Sequence, residues 1–183
     1  MQKIINFTGA QGTGKTTILK VLQQDPAFKE FDFVTEVVRN FVKEKGLKIN
    51  QDGTTQTQEL LFQAYSDSLE KKTSYVSDRC IIDVCAYTED GCARNKKDPA
   101  WRALLQEQLN EIKSLKEKLG YVFYFPIEFP LVNDGVRSMN EEYQEWIDKY
   151  ICNVLQLCDI PYTVVSGTVE QRIRTIKSKV FNW

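Results

Sequence analysis

The sequence contains no histidine, and this absence removes whole classes of catalytic chemistry. Ser-His-Asp triads, H-E-x-x-H metalloprotease sites and histidine zinc sites all need an imidazole. Proton transfer therefore falls to Asp or Glu, and the other catalytic roles fall to Lys, Arg, backbone amides and an oxygen-bound metal ion. The five cysteines form no C-x-x-C pair. An odd number of thiols without a signal peptide predicts reduced cysteines in a cytoplasmic protein.

The chain also lacks a strong charge of either sign and any long apolar run. Its formal net charge is −1 over 183 residues, so no broad basic surface for nucleic acid is indicated. An average can hide a local basic cleft, and a nucleic-acid partner therefore stays among the alternatives. No segment resembles a secretion signal or a membrane span, so we expect no membrane attachment. The length favours one domain, residues 1–183, and leaves the oligomeric state open.

Residues 9–16, GAQGTGKT, match the phosphate-binding pattern G-x-x-x-x-G-K-[ST] between an apolar run and an apolar helical pattern. Its glycines permit positive φ angles and a close approach of backbone N–H groups to phosphate. Lys15 would reach the β and γ phosphates, and the Thr16 hydroxyl would bind Mg²⁺. The predicted cofactors are therefore ATP and Mg²⁺. The residues predicted to bind them are Gly9, Gln11, Gly12, Thr13, Gly14, Lys15, Thr16 and Thr17.

Short apolar runs alternate with longer helical patterns along the rest of the chain. This alternation predicts a three-layer α/β/α P-loop NTPase fold with a five-stranded parallel sheet. The bulk of residues 121–125 and their lack of alternation predict a strand buried on both faces. Strands are expected at residues 4–7, 31–34, 74–77, 121–125 and 162–165.

The helices carry their own start and stop signals. A helix is expected over residues 55–72, and the polar, basic segment 91–97 is expected to be a loop. The patterns S-x-x-E at residues 138–141 and T-x-x-Q at residues 168–171 fit capping boxes that open two further helices. Trp146 is expected on the packed apolar face of the first of these helices.

Charged residues follow each of the strands that come after the phosphate loop. In a doubly wound sheet, ligands bind beyond the carboxyl ends of the strands, so these residues are the candidates for a shared site. They are Glu36 and Arg39, Asp78 and Arg79, Arg137, and Arg172.

The segments GAQGTGKTT, TEVVR, YVSDR and VSGTVEQR together resemble P-loop kinases. The nearest group is the small ATPase and kinase-like domains related to nicotinamide riboside kinase domains and to phage-encoded nucleotide kinases. Deoxynucleoside and thymidylate kinases are more distantly similar. The resemblance spans most of the chain, and the phosphate loop is its most specific part.

This resemblance implies a role for several of the residues at the strand ends. Glu36 would be the general base that accepts the proton of the acceptor hydroxyl. Asp78 would hold Mg²⁺ or its waters, and Arg79 would bind phosphate. Residues 126–139 correspond to a lid-type loop, in which Arg137 would neutralise charge on the transferring phosphoryl group.

Arg39, Asp83 and Arg172 complete the predicted site, and each has a structural alternative. Arg39 and Asp83 are expected to contact the substrate, and Arg172 is expected to lie over the adenine. Arg39 could instead pair with Glu36 at helical spacing, Asp83 could cap a helix or form an ion pair, and Arg172 could be a surface residue. Cys80 stands where related kinases carry serine or an aromatic residue, which leaves the acceptor open.

The sequence therefore predicts an ATP- and Mg²⁺-dependent phosphotransferase. Its acceptor would be a nucleoside, a nucleotide or a modified nucleotide, either free or within DNA or RNA. One alternative is an NTPase that drives a conformational or assembly change. A second is a nucleotide-binding switch with negligible turnover. The chain has no clear apolar strand that ends in Asp-Glu, a feature of many such ATPases, and this favours the kinase.

Overall fold

The sheet is parallel throughout and has the strand carrying the phosphate loop at its centre. A computed structural model describes residues 2–35, 37, 44, 46–131 and 140–182 of the chain. The strand order is β2-β3-β1-β4-β5, and each pair of neighbours is parallel. The predicted α/β/α fold with five parallel strands is confirmed. The strands are β1 (Ile4–Thr8), β2 (Asp32–Val34), β3 (Tyr75–Ser77), β4 (Tyr121–Tyr124) and β5 (Thr163–Val164).

Helices cover both faces of this sheet. Within the described ranges they are α1 (Lys15–Gln24), α2 (Thr55–Ser68), α3 (Ile81–Arg94), α4 (Pro99–Leu115), α5 (Glu141–Leu157) and α6 (Val169–Phe181). Short 3₁₀ helices occur at Pro26–Phe28, Asn50–Asp52 and Lys116–Lys118. Among the helices of these ranges, none combines the length and the apolar character needed to cross a bilayer.

Two hydrophobic cores lie on opposite faces of the sheet, because successive side chains of a strand point to opposite sides. Val122 and Tyr124 of β4 belong to the core formed with α2, α3, α4 and α5. Phe123 and Phe125 belong to the other core, formed with α1 and α6. The prediction that this strand is buried on both faces is confirmed.

Helix α3 is longer than the sequence predicts, so the expected loop at residues 91–97 is wrong for its first four positions. Gly91 lies inside the helix, and a Cβ at this position would come within 2.0 Å of the Trp101 ring. Trp101 is only 4% exposed and packs in the core. The glycine therefore serves the close contact between α3 and α4 and is not a helix stop.

Helix α5 begins differently from the prediction. Its N-cap is Asn140, whose side chain accepts a hydrogen bond from the Tyr143 N–H at 3.1 Å. The capping box predicted at residues 138–141 is therefore wrong, and Ser138 lies outside the described residues. Trp146 is 45% exposed, so its predicted place on the packed face is also wrong. The face that packs contains Tyr143, Ile147, Tyr150, Ile151 and Val154.

Two other helix ends can be compared with the sequence. Helix α2 ends at Ser68, four residues before the predicted end. Beyond this end the chain bonds to the N-terminal segment, because the Lys71 carbonyl accepts a hydrogen bond from the Gln2 side chain at 2.5 Å. The capping box of α6 is confirmed, because Thr168 and Gln171 exchange both of its hydrogen bonds.

Candidate functional site

The loop between β1 and α1 has the backbone of a phosphate cradle. Gly9, Gly12 and Gly14 have φ angles of 145°, 77° and 88°, which other residues rarely adopt. A Cβ on Gly9 would lie 2.5 Å from the Phe125 carbonyl oxygen, so the loop packs closely against the end of β4. Gly14 is the N-cap of α1 and offers no side chain to its amides. A helix N-terminus of this kind suits an anion.

Lys15 lies across the loop that it follows. Its side chain is buried, and its ammonium group donates hydrogen bonds to the carbonyl oxygens of Gly9 and Ala10 at 2.5 and 2.7 Å. A third contact, to the Thr13 hydroxyl, measures 3.2 Å. These bonds hold a positive charge at the concave side of the loop, where phosphate oxygens would compete with the carbonyls for it.

Helices α3 and α5 support the loop through Gln11. The Gln144 amide of α5 donates a hydrogen bond to the Gln11 carbonyl oxygen at 2.6 Å, and Gln144 is almost completely buried. The Tyr87 hydroxyl of α3 donates to the Gln11 side-chain oxygen at 3.4 Å. The Gln11 side-chain nitrogen is buried and has no hydrogen-bond partner among the described residues. Sequence reasoning did not find Gln144 or Tyr87, because neither belongs to a local motif.

Arg172 joins the loop to the turn before α6. It is 2% exposed, which makes its interpretation as a surface residue wrong. Its guanidinium group donates to the Thr13 carbonyl at 2.7 Å and to the Gly167 carbonyl at 2.9 Å, and it is paired with the Glu128 carboxylate. The same carboxylate accepts the Gly167 N–H at 3.1 and 3.2 Å. Both side chains are therefore held by the protein.

The end of β3 places two charged residues beside the loop, since β3 pairs directly with β1. Asp78 and Arg79 follow this strand, and the Arg79 guanidinium lies 3.5 Å from Asp83 and 5.7 Å from the centroid of the Tyr87 ring. Asp83 is 1% exposed and also accepts the Cys80 N–H at 3.0 Å. Asp83 thus caps α3 and pairs with Arg79, as its structural alternative predicts.

One cavity of about 910 Å³ runs past all of these elements. Glu36, Arg39 and Arg137 lie outside the described residues, and so does the part of the predicted lid from residue 132 to residue 139. Gly9 packs against Phe125 at the end of β4 and does not line the cavity. The other predicted site residues all line the cavity: Gln11, Gly12, Thr13, Gly14, Lys15, Thr16, Thr17, Asp78, Arg79, Asp83 and Arg172.

Helices α2 and α3 form a wall of the cavity that sequence reasoning missed. Gln58, Leu61 and Tyr65 of α2 lie on this wall, with Val84 and Tyr87 of α3. Tyr65 is 2% exposed, and its hydroxyl has no hydrogen-bond partner among the described residues. Burial, and then the charge of Asp78, raises the pKa of Tyr65, so its phenol stays a neutral donor. One signal in the sequence could have revealed this wall. Gln58 is polar and lies seven positions before Tyr65, on the same face of the helix.

Asp148 of α5 puts a carboxylate close to the loop. It accepts the Tyr124 hydroxyl at 2.8 Å through one oxygen, and its other oxygen is buried without a hydrogen bond of good geometry. Loss of solvent raises the pKa of Asp148, while the Tyr124 hydrogen bond and the charge of Lys15 oppose this rise. The opposite charges of Asp148 and Lys15 therefore lie close enough to attract each other.

The residues around the loop suit a hard divalent cation. The Thr16 hydroxyl and the Asp78 carboxylate are oxygen ligands that line the same cavity. Among the described residues, no three acidic or cysteine side chains cluster as a metal site.

Comparison with known proteins assigns the chain to a family. A family model described as an AAA domain matches residues 4–172. A comparison of the sequence with curated proteins finds no match.

Several solved structures share the fold at low identity. Deoxyadenosine kinase from M. mycoides with bound dATP has a TM-score of 0.68 and 18% identity over 97% of this chain and 98% of that chain. The same kinase with bound dCTP has a TM-score of 0.65 and 19% identity over 100% of each. The NadR protein in complex with NR has a TM-score of 0.64 and 14% identity over 98% of this chain and 51% of that chain. The predicted resemblance to P-loop kinases is confirmed at the level of the fold.

Proposed function

We propose that this chain, which belongs to the AAA domain family, is an ATP- and Mg²⁺-dependent phosphotransferase acting on a nucleoside- or nucleotide-type acceptor. The observation that carries the proposal is a single cavity that extends to both sides of the phosphate loop and is lined by different residues on each side. Because β1 lies between β3 and β4, the residues that follow these two strands flank the loop on opposite sides. An NTPase needs room only for a nucleotide and a water. This cavity has a second region, lined by α2 and α3, in which an acceptor could bind.

The donor nucleotide would lie on the side of β4 and β5. There the cavity is lined by residues 128–130, by 167–169, and by Gln171 and Arg172. The amides of the loop and of the first turn of α1 would hold its phosphates, and Lys15 would exchange loop carbonyls for phosphate oxygens.

The acceptor would lie on the side of β3, against α2 and α3. Gln58 offers both a hydrogen-bond donor and an acceptor, Tyr65 offers a buried hydroxyl, and Leu61 is apolar. A flat base with a polar edge has the complementary chemistry. The dATP, dCTP and NR named in the structural neighbours support a ligand of this class.

Phosphoryl transfer would rely on position and charge more than on covalent chemistry. Thr16 and Asp78 would hold Mg²⁺, which would supply positive charge to neutralise the phosphates during transfer. Arg79, already beside the cavity, would add a positive charge on the acceptor side. We assign the role of general base to Glu36, which would accept the proton of the acceptor hydroxyl. Glu36 follows β2 by two residues, and a chain without histidine needs a carboxylate base. Arg39 would contact the acceptor and Arg137 the transferring group.

A screen of acceptors tests the proposal. The protein is incubated with γ-labelled ATP, Mg²⁺ and a panel of ribonucleosides, deoxynucleosides, their monophosphates and oligonucleotides with free hydroxyl ends. We expect label in one class of acceptor, and no transfer when Mg²⁺ is chelated. ATP hydrolysis at one rate, whichever acceptor is present, would instead support the NTPase alternative.

A further inference from the structure

An aromatic ring lies half-exposed at the donor side of the cavity. Phe129 is 46% exposed and lines the cavity together with Pro130 and Val169. Exposure alone assigns no ligand, because Trp146 and Tyr162 are exposed to a similar degree. The place of Phe129 beside the phosphate loop indicates a ligand.

The protein fixes one face of this ring. The Arg172 guanidinium lies 5.0 Å from the Phe129 ring centroid and 5.7 Å from that of Phe125. A guanidinium over an aromatic face is a favourable arrangement. Arg172 cannot turn away readily, because Thr13, Gly167 and Glu128 all accept its hydrogen bonds. The ring therefore has one supported face and one open side.

The same guanidinium also fixes the distance from the ring to the phosphate loop. It donates to the Thr13 carbonyl at 2.7 Å, and a Cβ on Gly14 would lie 3.1 Å from its Nη1 atom. A single buried side chain thus supports both an aromatic surface and the loop that would hold the phosphates. A nucleotide needs these two features at a constant separation.

We propose that Phe129 is the platform on which the base of the phosphoryl donor stacks. Arg172, with Glu128, is a positioning residue that acts through Phe129 and Thr13, which differs from the direct adenine contact predicted for it. The inference rests on the proposed function, since it assumes a nucleotide donor. Every base has a π face, so this platform binds adenine and guanine alike.

The test compares nucleotides with a ligand that has phosphates but no base. Dissociation constants for ATP, GTP and inorganic tripolyphosphate are measured by calorimetry for the wild type, Phe129→Ala, Phe129→Trp and Trp146→Ala. Trp146 is the matched control, because it is 45% exposed, has Lys149 5.5 Å from its ring centroid and does not line the cavity.

We expect Phe129→Ala to weaken ATP and GTP binding roughly 5- to 150-fold, as loss of base stacking does, and to leave tripolyphosphate binding unchanged. Phe129→Trp should restore nucleotide binding, and Trp146→Ala should change nothing. Arg172→Gln, measured in the same way, should weaken tripolyphosphate binding because it releases Thr13, and should weaken nucleotide binding further because it also releases the Phe129 ring.

Two results would overturn the platform alone. One is unchanged ATP binding in Phe129→Ala, and the other is an equal loss for ATP and tripolyphosphate in that variant. A wild type that binds neither ligand would overturn the proposed function as well, so the two failures are distinguishable.

Discussion

At the scale of single residues, the site depends on charges that the protein holds in place. Lys15 donates to three oxygens of its own loop and is buried by it. Arg172 has protein acceptors on three sides. Such charges already lie where a polyphosphate would bind, and charge held in place is what electrostatic stabilisation of phosphoryl transfer requires.

Removal of the Lys15 charge should stop transfer without unfolding the protein. Lys15→Met is expected to lower kcat roughly 100- to 1,000-fold or more, the loss typical of one prearranged charge-stabilising group. Lys20→Met is the control, because Lys20 is exposed on the same helix. The measurement is the transfer rate, with circular dichroism melting to check the fold. A Lys15 variant with the wild-type rate would contradict the assignment.

Asp148 should make stability depend on pH. Burial raises its pKa from the ordinary value of 3.8, so the folded protein holds this proton more tightly than the unfolded chain does. Its contribution to stability is therefore complete at low pH and is lost as pH rises from about 4 through the raised pKa. Asp148→Asn should remove that loss, which urea unfolding of both proteins between pH 3 and pH 7 would measure. Parallel pH profiles would show that Asp148 is not the group responsible.

At the scale of elements, one face of α2 lines the cavity with Gln58, Leu61 and Tyr65, and we call this proposed acceptor site the acceptor wall. Gln58, Leu61 and Tyr65 recur at a spacing of three and four residues, so they lie together along the helix. The capped start of α2 at Thr54 sets this face, because the Thr54 side chain accepts the Thr57 N–H at 3.2 Å. A helix that both packs in the core and lines the cavity can select an acceptor with little movement.

Loss of a polar group from this wall should raise the KM for the acceptor and leave the KM for ATP unchanged. Tyr65→Phe and Gln58→Ala are each expected to raise the acceptor KM roughly 2- to 10-fold, the worth of one net hydrogen bond. Gln63→Ala is the matched control, because Gln63 is exposed on α2. Steady-state kinetics with each substrate varied in turn would measure the effect. An equal rise in the ATP KM would place the two residues outside the acceptor wall.

At the scale of the whole molecule, the strand order assembles the site. The chain passes from β3 to β4 across β1, so segments that are distant in sequence meet around the loop of β1. Asp78 arrives from one side, and Glu128 and Arg172 arrive from the other. A ligand that bridges these sides would hold much of the molecule together.

Binding to this shared cavity should stabilise the entire fold. At 100 times its Kd, MgATP is expected to add about 2.7 kcal/mol, which for a chain of this size raises Tm by about 5–10 °C. Lys15→Met should abolish most of this shift, while Lys20→Met should retain it. Differential scanning calorimetry measures both. A wild-type Tm that does not respond to MgATP would contradict nucleotide binding at this site.

The amino-acid sequence alone was enough to predict the phosphate loop, the type and approximate position of the strands, and the capping box of α6. These features depend on neighbouring residues: glycines permit the loop at residues 9–14, and the side chains of Thr168 and Gln171 each bond to the other's backbone. The expected loop after Gly91 was wrong for the opposite reason, because a distant ring, Trp101, explains that glycine.

The side chains that meet in the cavity could be identified from the folded structure and not from local sequence patterns. Gln144 and Arg172 hold the loop from α5 and α6, more than 130 residues along the chain from the atoms they bind. No local pattern reports such a contact, since it depends on the order of the strands and on how the helices pack over them. The burial of Arg172 and its hydrogen bonds to Thr13 and Gly167 are likewise visible in the structure and not in the motif that contains it.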